Sequence, residues 1–342
     1  MKKLILFILI IIIVASGYTA WNLFGPAVGT SADKFLYIKT GTNLSALKNE
    51  LSEKGIIPSK FFFEQVSSRA KFNEVKPGRY KIQPKMSLIN FIRMLKAGRQ
   101  EPVKLVINKL RTKEDFASKI GKNFELDSTA VIDYITSNDS LIKYGVDTNT
   151  LMTLIIPNTY SINWNGDVSK LITRFKKEHD AFWNKERLKK AENLNLSTEQ
   201  VYTVASIVEE ETNKQTDKEL IASVYTNRIN KGMRLEADPT VKYAMRNFGL
   251  KRILYGHLQY PSPYNTYRNT GLPPGPICTP STNTIDAVLN QPKTNYIFFV
   301  AKPDFNGYSN FATNYEDHKK FAKQYQVALD SLILKKNNIS GN

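Results

Sequence analysis

The sequence predicts an α+β protein in three parts: an N-terminal transmembrane helix, a small strand–helix–helix–strand subdomain and a larger mixed α+β domain. Three observations lead there. An apolar run of about 20 residues opens the chain, the length needed to cross a hydrocarbon core of about 30 Å. The 342 residues allow about two domains, each with a core of its own. Eighteen Phe, 17 Tyr and 3 Trp supply core material that a disordered chain lacks. One Cys excludes a disulfide scaffold. With only three scattered His (His179, His257 and His318) it also excludes zinc-ribbon chemistry, so neither metal nor cofactor is expected.

Met1-Lys2-Lys3 precedes an unbroken apolar stretch, Leu4–Ala15, that continues through Trp21 to Phe24, and the next charge is Asp33. The two lysines on the short side keep the N-terminus cytoplasmic and send the remainder across a cytoplasmic (inner) membrane in a single pass. A cleaved signal peptide is the alternative, with Ala15, Ser16 and Gly17 able to accept a peptidase; the length of the run and Trp21 as interfacial anchor favour the span. Either way the bulk of the chain leaves the cytoplasm. The net charge of +17 calls for a polyanionic neighbour. Export sets nucleic acid aside and leaves anionic lipid or wall polymer. The expected division is an anchor over 1–24, a linker over 25–34, a small subdomain over 35–100 and a larger domain over 101–342.

Phe35–Lys39 reads as a strand. Leu44, Leu47 and Leu51, stopped by Gly55, read as a first helix, and Ser59 caps a second over Lys60–Ala70. Gly78–Ile82 reads as a second strand. This order resembles the LysM fold, a module that binds N-acetylglucosamine-containing glycans. A helix over Ser87–Lys96 ends at Gly98, and Val103–Ile107 reads as a strand. From 108 to 196 the pattern is mainly helical and Lys-rich. Ile155–Tyr160 interrupts it as an apolar–turn–aromatic segment crossing the core.

The chemistry-bearing region starts at Ser197-Thr198-Glu199-Gln200, a capping box with Leu196 and Val201 as hydrophobic staple. Val201, Val204, Ala205 and Val208 define the buried face of the helix it opens, which runs into Glu209-Glu210-Glu211. At about 100° per residue, Glu210 falls opposite the apolar face and reads as a solvated charge. Glu209 and Glu211 flank the buried face, Glu211 the more closely. A carboxyl at an apolar edge loses water around its charged form, so its pKa rises toward that of a general acid. Thr216-Asp217-Lys218-Glu219 reads as a second capping box, opening a helix that ends at Gly232. Asp238-Pro239 reads as N-cap and N1 of a third helix ending near Gly249. Tyr260–Ser281 is aperiodic, stiffened by six prolines and interleaved with Tyr264, Asn265, Tyr267 and Arg268. Loops of about 20 residues inside compact domains are usually functional. Cys278 within it reads as a packing residue. A strand over Tyr296–Ala301, another over Phe311–Asn314 and a basic amphipathic helix from 315 close the chain.

Ala205-Ser206-Ile207-Val208-Glu209-Glu210-Glu211-Thr212 resembles the catalytic helix of the endolytic murein transglycosylases, the YceG-like family. So do Tyr225-Thr226-Asn227-Arg228, the run Met233–Val241, Pro263–Tyr267, Gly271–Ile277 and Phe311-Ala312-Thr313-Asn314 before His318. The blocks span about 200–320. Three positions depart from the family pattern: Glu236 for a common Gln, Ser309 for a His, and Asn158 for an Asp. The resemblance implies a lytic transglycosylase, a carbon–oxygen lyase that cuts the N-acetylmuramic acid–N-acetylglucosamine β-1,4 bond of nascent peptidoglycan strands. It leaves 1,6-anhydro ends and terminates glycan elongation. It places the catalytic acid/base on Glu211, the residue that helical phase also favours. Glu209 is then a pKa modulator or structural partner. Asn227, Arg228, Asn265 and Tyr267 are groove contacts, and Asp238 is a helix cap or a second carboxylate. Implied partners are glycan strands, the membrane and penicillin-binding synthases. Two readings stay open beside it: a muramidase using Glu209 or Asp238 as second carboxylate, and a non-catalytic wall tether.

Overall fold

The computed structural model describes residues 2–26, 28–29 and 34–340, with side chains as far as 334. Of the predicted linker over 25–34, residues 27 and 30–33 lie outside the described residues. The chain forms two compact units, one of Met1–Leu105 with 120–127 and 160–167, the other of 106–119, 128–159 and 168–342. The first unit thus takes in two short segments from later in the chain, 120–127 and 160–167.

The first unit opens with α1 (Lys2–Phe24), the one helix among the described residues long and apolar enough to cross a membrane. Next come β1 (Phe35–Ile38), α2 (Leu44–Glu53), α3 (Lys60–Arg69), β2 (Gly78–Lys81) and α4 (Leu88–Ala97). Asn43 caps α2 by accepting from the Ala46 amide, and Ser87 caps α4 through Asn90; Ser59 precedes α3 without a side-chain capping bond. Gly98 ends α4 at φ 67°, a left-handed conformation that a Cβ would strain. The strands β1 and β2 pair antiparallel, with Phe35 opposite Lys81 and Ile38 opposite Gly78. Strand alternation and helix period both deliver apolar residues to one core, where Leu36, Ile38, Leu47, Leu51, Tyr80 and Phe91 are buried.

After β3 (Val103–Ile107) the expected helical stretch resolves into α5 (Lys113–Asn123), α6 (Ser128–Ile135), α7 (Asn138–Leu141), α8 (Val168–Phe182) and α9 (Lys185–Asn193). Leu151–Ile156 is buried and leads into β4 (Asn158–Ile162), which pairs with β3. The second unit is organised around α10 (Thr198–Glu211), packed against α11 (Gln215–Asn230) and α14 (Thr282–Leu289). The capping box at Ser197 and Gln200 is present. Burial goes further than one stripe: every residue from Val201 to Val208 is buried. Short helices α12 (Asp238–Ala244) and α13 (Tyr255–Leu258) precede the proline loop. The hairpin β5 (Phe298–Ala301) and β6 (Ser309–Ala312), with α15 (Tyr315–Ser340) packed on it, completes the unit.

Two expected caps are replaced. Helix α11 begins at Gln215 after Lys214, with no side-chain capping bond, so Thr216-Asp217-Lys218-Glu219 is not a capping box. Asp217 is buried instead and accepts from the Ser309 amide at 2.7 Å, a longer-range partner that wins over the local one. In α12 the N-cap position belongs to Ala237, and Asp238 stands in the first turn beside Pro239. The Asp238 carboxylate does not cap the helix and instead accepts from the Tyr267 hydroxyl. That helix also stops at Ala244 rather than near Gly249, with Arg246 in the left-handed region at φ 53°.

Candidate active site

Glu211 ends α10 where the buried run gives way to a cleft of about 340 Å³. The cleft is lined by Glu211, Arg228, Leu235, Glu236, Asp238 and Tyr267 together with Phe298, Phe299, Tyr315 and His318. The half-buried Glu211 carboxyl accepts a hydrogen bond at Oε1 from the Tyr225 hydroxyl at 2.6 Å, its one such bond among the described residues. Burial raises its pKa to about 7; the Tyr225 bond pulls the other way, and the charge of Asp238 pushes up again. Burial, and then the Glu211 charge, hold the Tyr225 phenol well above its usual pKa, so it stays a donor. The Tyr225 ring packs edge-on against Phe299 at 5.9 Å. The site thus holds a carboxyl that is substantially protonated near neutral pH and open to a ligand.

The other two glutamates of the triplet face elsewhere. Glu209 is nearly buried and bonded to Lys218 Nζ at 3.0 Å, to Ser281 Oγ at 3.1 Å and to the Thr284 hydroxyl. Burial opposes its ionisation, but the bonds from Thr284, Lys218 and Ser281 prevail and hold it below the usual carboxylate range. It does not line the cleft. Glu210, expected as a solvated charge, is only 17% exposed and takes a two-pronged ion pair from Arg111 at 3.1 and 3.0 Å, with Lys109 at 3.3 Å. The segment after β3 covers the helix face that the local period leaves polar.

Arg228 is buried and builds the wall of the cleft. Its Nε donates to the Ile297 carbonyl at 2.6 Å and its Nη1 to the carbonyls of Arg234 and Leu235, each at 3.0 Å. The same Nη1 pairs with Glu236 at 3.0 Å, and the guanidinium lies 5.1 Å from the Phe298 ring centroid. Glu236 holds a left-handed backbone at φ 54°, a strain of about 1 kcal/mol or more of the kind concentrated at functional sites. Asn227 is turned away from the cleft: its amide donates to Thr294 and Tyr296 carbonyls, both at 2.9 Å, and ties α11 to the approach to β5.

The proline loop presents Tyr267, whose hydroxyl donates to Asp238 Oδ1 at 2.7 Å. Asn265 is fully buried and faces no groove. Its Nδ2 donates to Leu258 and Tyr260 carbonyls and its Oδ1 accepts the Tyr267 amide, an Asx turn that fixes the loop. Thr266 Oγ1 accepts the Ala237 amide at 3.0 Å, which pins the loop to the start of α12. A Cβ at Gly275 would stand 2.1 Å from the Asn149 carbonyl oxygen, so the loop needs glycine there. Cys278 is buried, and burial pushes its thiol well above the ordinary pKa; it packs, as expected.

The structure therefore gathers Glu211, Asp238, Arg228 and Tyr267 around one cleft and leaves Glu209, Asn227 and Asn265 behind its walls. Sequence reasoning assigned no site role to Tyr225, Glu236, Phe298, Phe299, Tyr315 or His318. Tyr225 stands on the next helix, in the run Tyr225-Thr226-Asn227-Arg228 that carries the family resemblance. His318 stacks on Phe298 at 5.0 Å with its Nδ1 buried and without a hydrogen bond among the described residues. Burial and then Arg228 hold its pKa below normal.

A single proton-holding carboxyl at the end of a buried helix, facing a charged and aromatic cleft, is an acid–base arrangement. Residues 36–324 match the YceG-like family, and the chain belongs to that family. It is 30% identical over 305 residues to an endolytic murein transglycosylase of Bacillus subtilis, covering 84% of this chain and 83% of the relative. A protein of the same name from Streptococcus pneumoniae is 28% identical over 318 residues, covering 83% of this chain and 56% of the longer relative. The crystal structure of a YceG-like protein from Listeria monocytogenes superposes with a TM-score of 0.55 at 28% identity, over 84% of this chain and 99% of that one.

Proposed function

We propose that the chain is a membrane-anchored endolytic transglycosylase of peptidoglycan, with Glu211 as its acid and then its base. The observation that carries this is the Glu211 carboxyl, its pKa raised to about 7 in an open cleft where Tyr225 donates to it. The protonated carboxyl gives its proton to the glycosidic oxygen leaving N-acetylmuramic acid C1, as positive charge spreads over C1 and the ring oxygen. The Tyr225 bond favours the carboxylate that results. The Asp238 carboxylate, aimed by Tyr267, offers negative charge to the developing cation. Glu211 then takes the proton of the sugar's own C6 hydroxyl as that oxygen attacks C1, closing the 1,6-anhydro ring. Atoms balance without water. Release of such ends would terminate elongation of a nascent strand.

Helix α1 supports single-pass anchorage with the N-terminus inside and the chain after it outside, and the β1-α2-α3-β2 order supports a LysM-like glycan contact. Penicillin-binding synthases fit as neighbours on the same strands. A second reading, hydrolysis, is kept by one observation: Asp238 shares the cleft and is a carboxylate available to activate water. Glu209, committed to Lys218, is not. The test is digestion of purified peptidoglycan by the wild type and Glu211→Gln. Loss of about 10²–10⁴-fold in rate is expected for a missing general acid. Full activity in the variant would refute the assignment and leave a wall tether or another acid.

A further inference from the structure

A second concavity, of about 750 Å³, lies in the first unit against the end of α1. Phe24, the last residue of that helix, forms part of its wall, and Lys81, Lys85, Arg93, Arg99 and Glu101 surround it. Lys81 ends β2, Lys85 sits in the following turn at φ 63°, and Arg93 stands on α4 with Arg99 just beyond its glycine stop. All four cations are exposed, and among the described residues none has a side-chain hydrogen bond or ion pair. Among the described residues Glu101 is the one carboxylate lining it, so that lining is strongly positive.

Its height relative to a bilayer follows from the aromatic side chains around it. Tyr18, Trp21 and Phe24 are 62%, 62% and 70% exposed along the last turns of α1. Tyr18 rests against Phe62 at 5.9 Å, and the neighbouring Phe61 on α3 is 61% exposed. Aromatic belts of this kind mark the level of lipid headgroups. With α1 across a membrane, the cations would stand at the level of headgroup phosphates, in a recess and not on a flat surface.

We propose that this cavity binds the headgroup phosphate of an anionic phospholipid and so holds the small unit down on the membrane. The inference rests on α1 crossing the membrane. Each basic side chain beside an anionic lipid surface strengthens attachment roughly fivefold. With screening between exposed groups, loss of all four is expected to weaken binding at least about tenfold.

The test uses the full-length chain in detergent, titrated with phosphatidylglycerol or phosphatidylcholine and read by native mass spectrometry. One bound phosphatidylglycerol, preferred at least about tenfold over phosphatidylcholine, is expected. Lys81→Gln/Lys85→Gln/Arg93→Gln/Arg99→Gln should lose that preference. A charge-matched control, Lys189→Gln/Lys251→Gln/Arg252→Gln/Lys323→Gln, should keep it. Equal binding of both lipids, an unchanged cavity variant, or an equal loss in the control would overturn the proposal. Displacement by millimolar inorganic phosphate would do the same and point to a soluble phosphate site. Resistance of the chain to alkaline extraction from membranes reports the span itself. A chain that stays embedded but shows no lipid preference refutes the cavity alone, and one that is extracted refutes the span.

Discussion

Replacing Tyr225 by Phe removes one atom from the site, the hydroxyl that donates to Glu211 at 2.6 Å. The ring's packing against Phe299 survives, so the variant is expected to fold. A hydrogen bond to a charged group contributes about 1.5–3 kcal/mol, and 1.36 kcal/mol is one pKa unit. Because this bond favours ionised Glu211, its loss raises the carboxyl further. Water entering the cleft replaces part of it, which leaves a rise of about one unit. An acid-dependent rate falls as pH climbs through the pKa of that acid. The alkaline limb, near pH 7 in the wild type, therefore moves upward by about one unit in the variant, while the plateau drops as the carboxyl loses its orienting partner. The assay is the pH dependence of kcat/KM for release of fragments from purified peptidoglycan. A limb that stays in place or moves down would refute the pairing of phenol and carboxylate described above.

Asp238→Asn should shift the same limb the opposite way, toward lower pH, because the Asp238 charge holds Glu211 up. Glu211→Gln should stabilise the fold at pH 8 by on the order of 1–3 kcal/mol and leave it unchanged at pH 4. The sign follows from a folded pKa of about 7 against 4.5 unfolded: wild-type stability is fully present below the lower value and lost as pH rises through the higher one, which thermal melts at both pH values would show. Glu209→Gln leaves the buried Lys218 without its charge partner and should cost about 3 kcal/mol in urea unfolding, with the chemical nature of the product ends unchanged. Arg228→Lys cannot reach the Ile297, Arg234 and Leu235 carbonyls together and should lower both Tm and kcat/KM, by about 2 kcal/mol or more in stability.

What the sequence showed and what it hid divide along the range of the interactions involved. Helix α10 was legible because Ser197 and Gln200 cap it locally and its apolar residues repeat at helical spacing. Phase alone brought Glu211 to the edge of the core. Phase misplaced Glu210, because Arg111 and Lys109 arrive from about 100 residues away and cover a face that looks solvated in isolation. The caps assigned to Thr216 and Asp238 failed for the same reason: Asp217 and Asp238 spend their carboxylates on Ser309 and Tyr267, both remote. Asn265 looked like a sugar contact because loop amides often are, yet its own turn consumes every polar atom it has. The aromatic lining of the cleft, Phe298, Phe299, Tyr315 and His318, comes from a hairpin and helix whose packing no local pattern announces.

A Glu211-driven transglycosylase cuts the glycan without water. Digestion of peptidoglycan in heavy-oxygen water, with mass spectrometry of the new chain ends from the wild type and Glu211→Gln, tests it directly. Unlabelled ends, one water lighter than reducing ends and absent from the variant, are expected. A heavy oxygen at the new ends would make the protein a hydrolase and bring Asp238 forward as its second carboxylate.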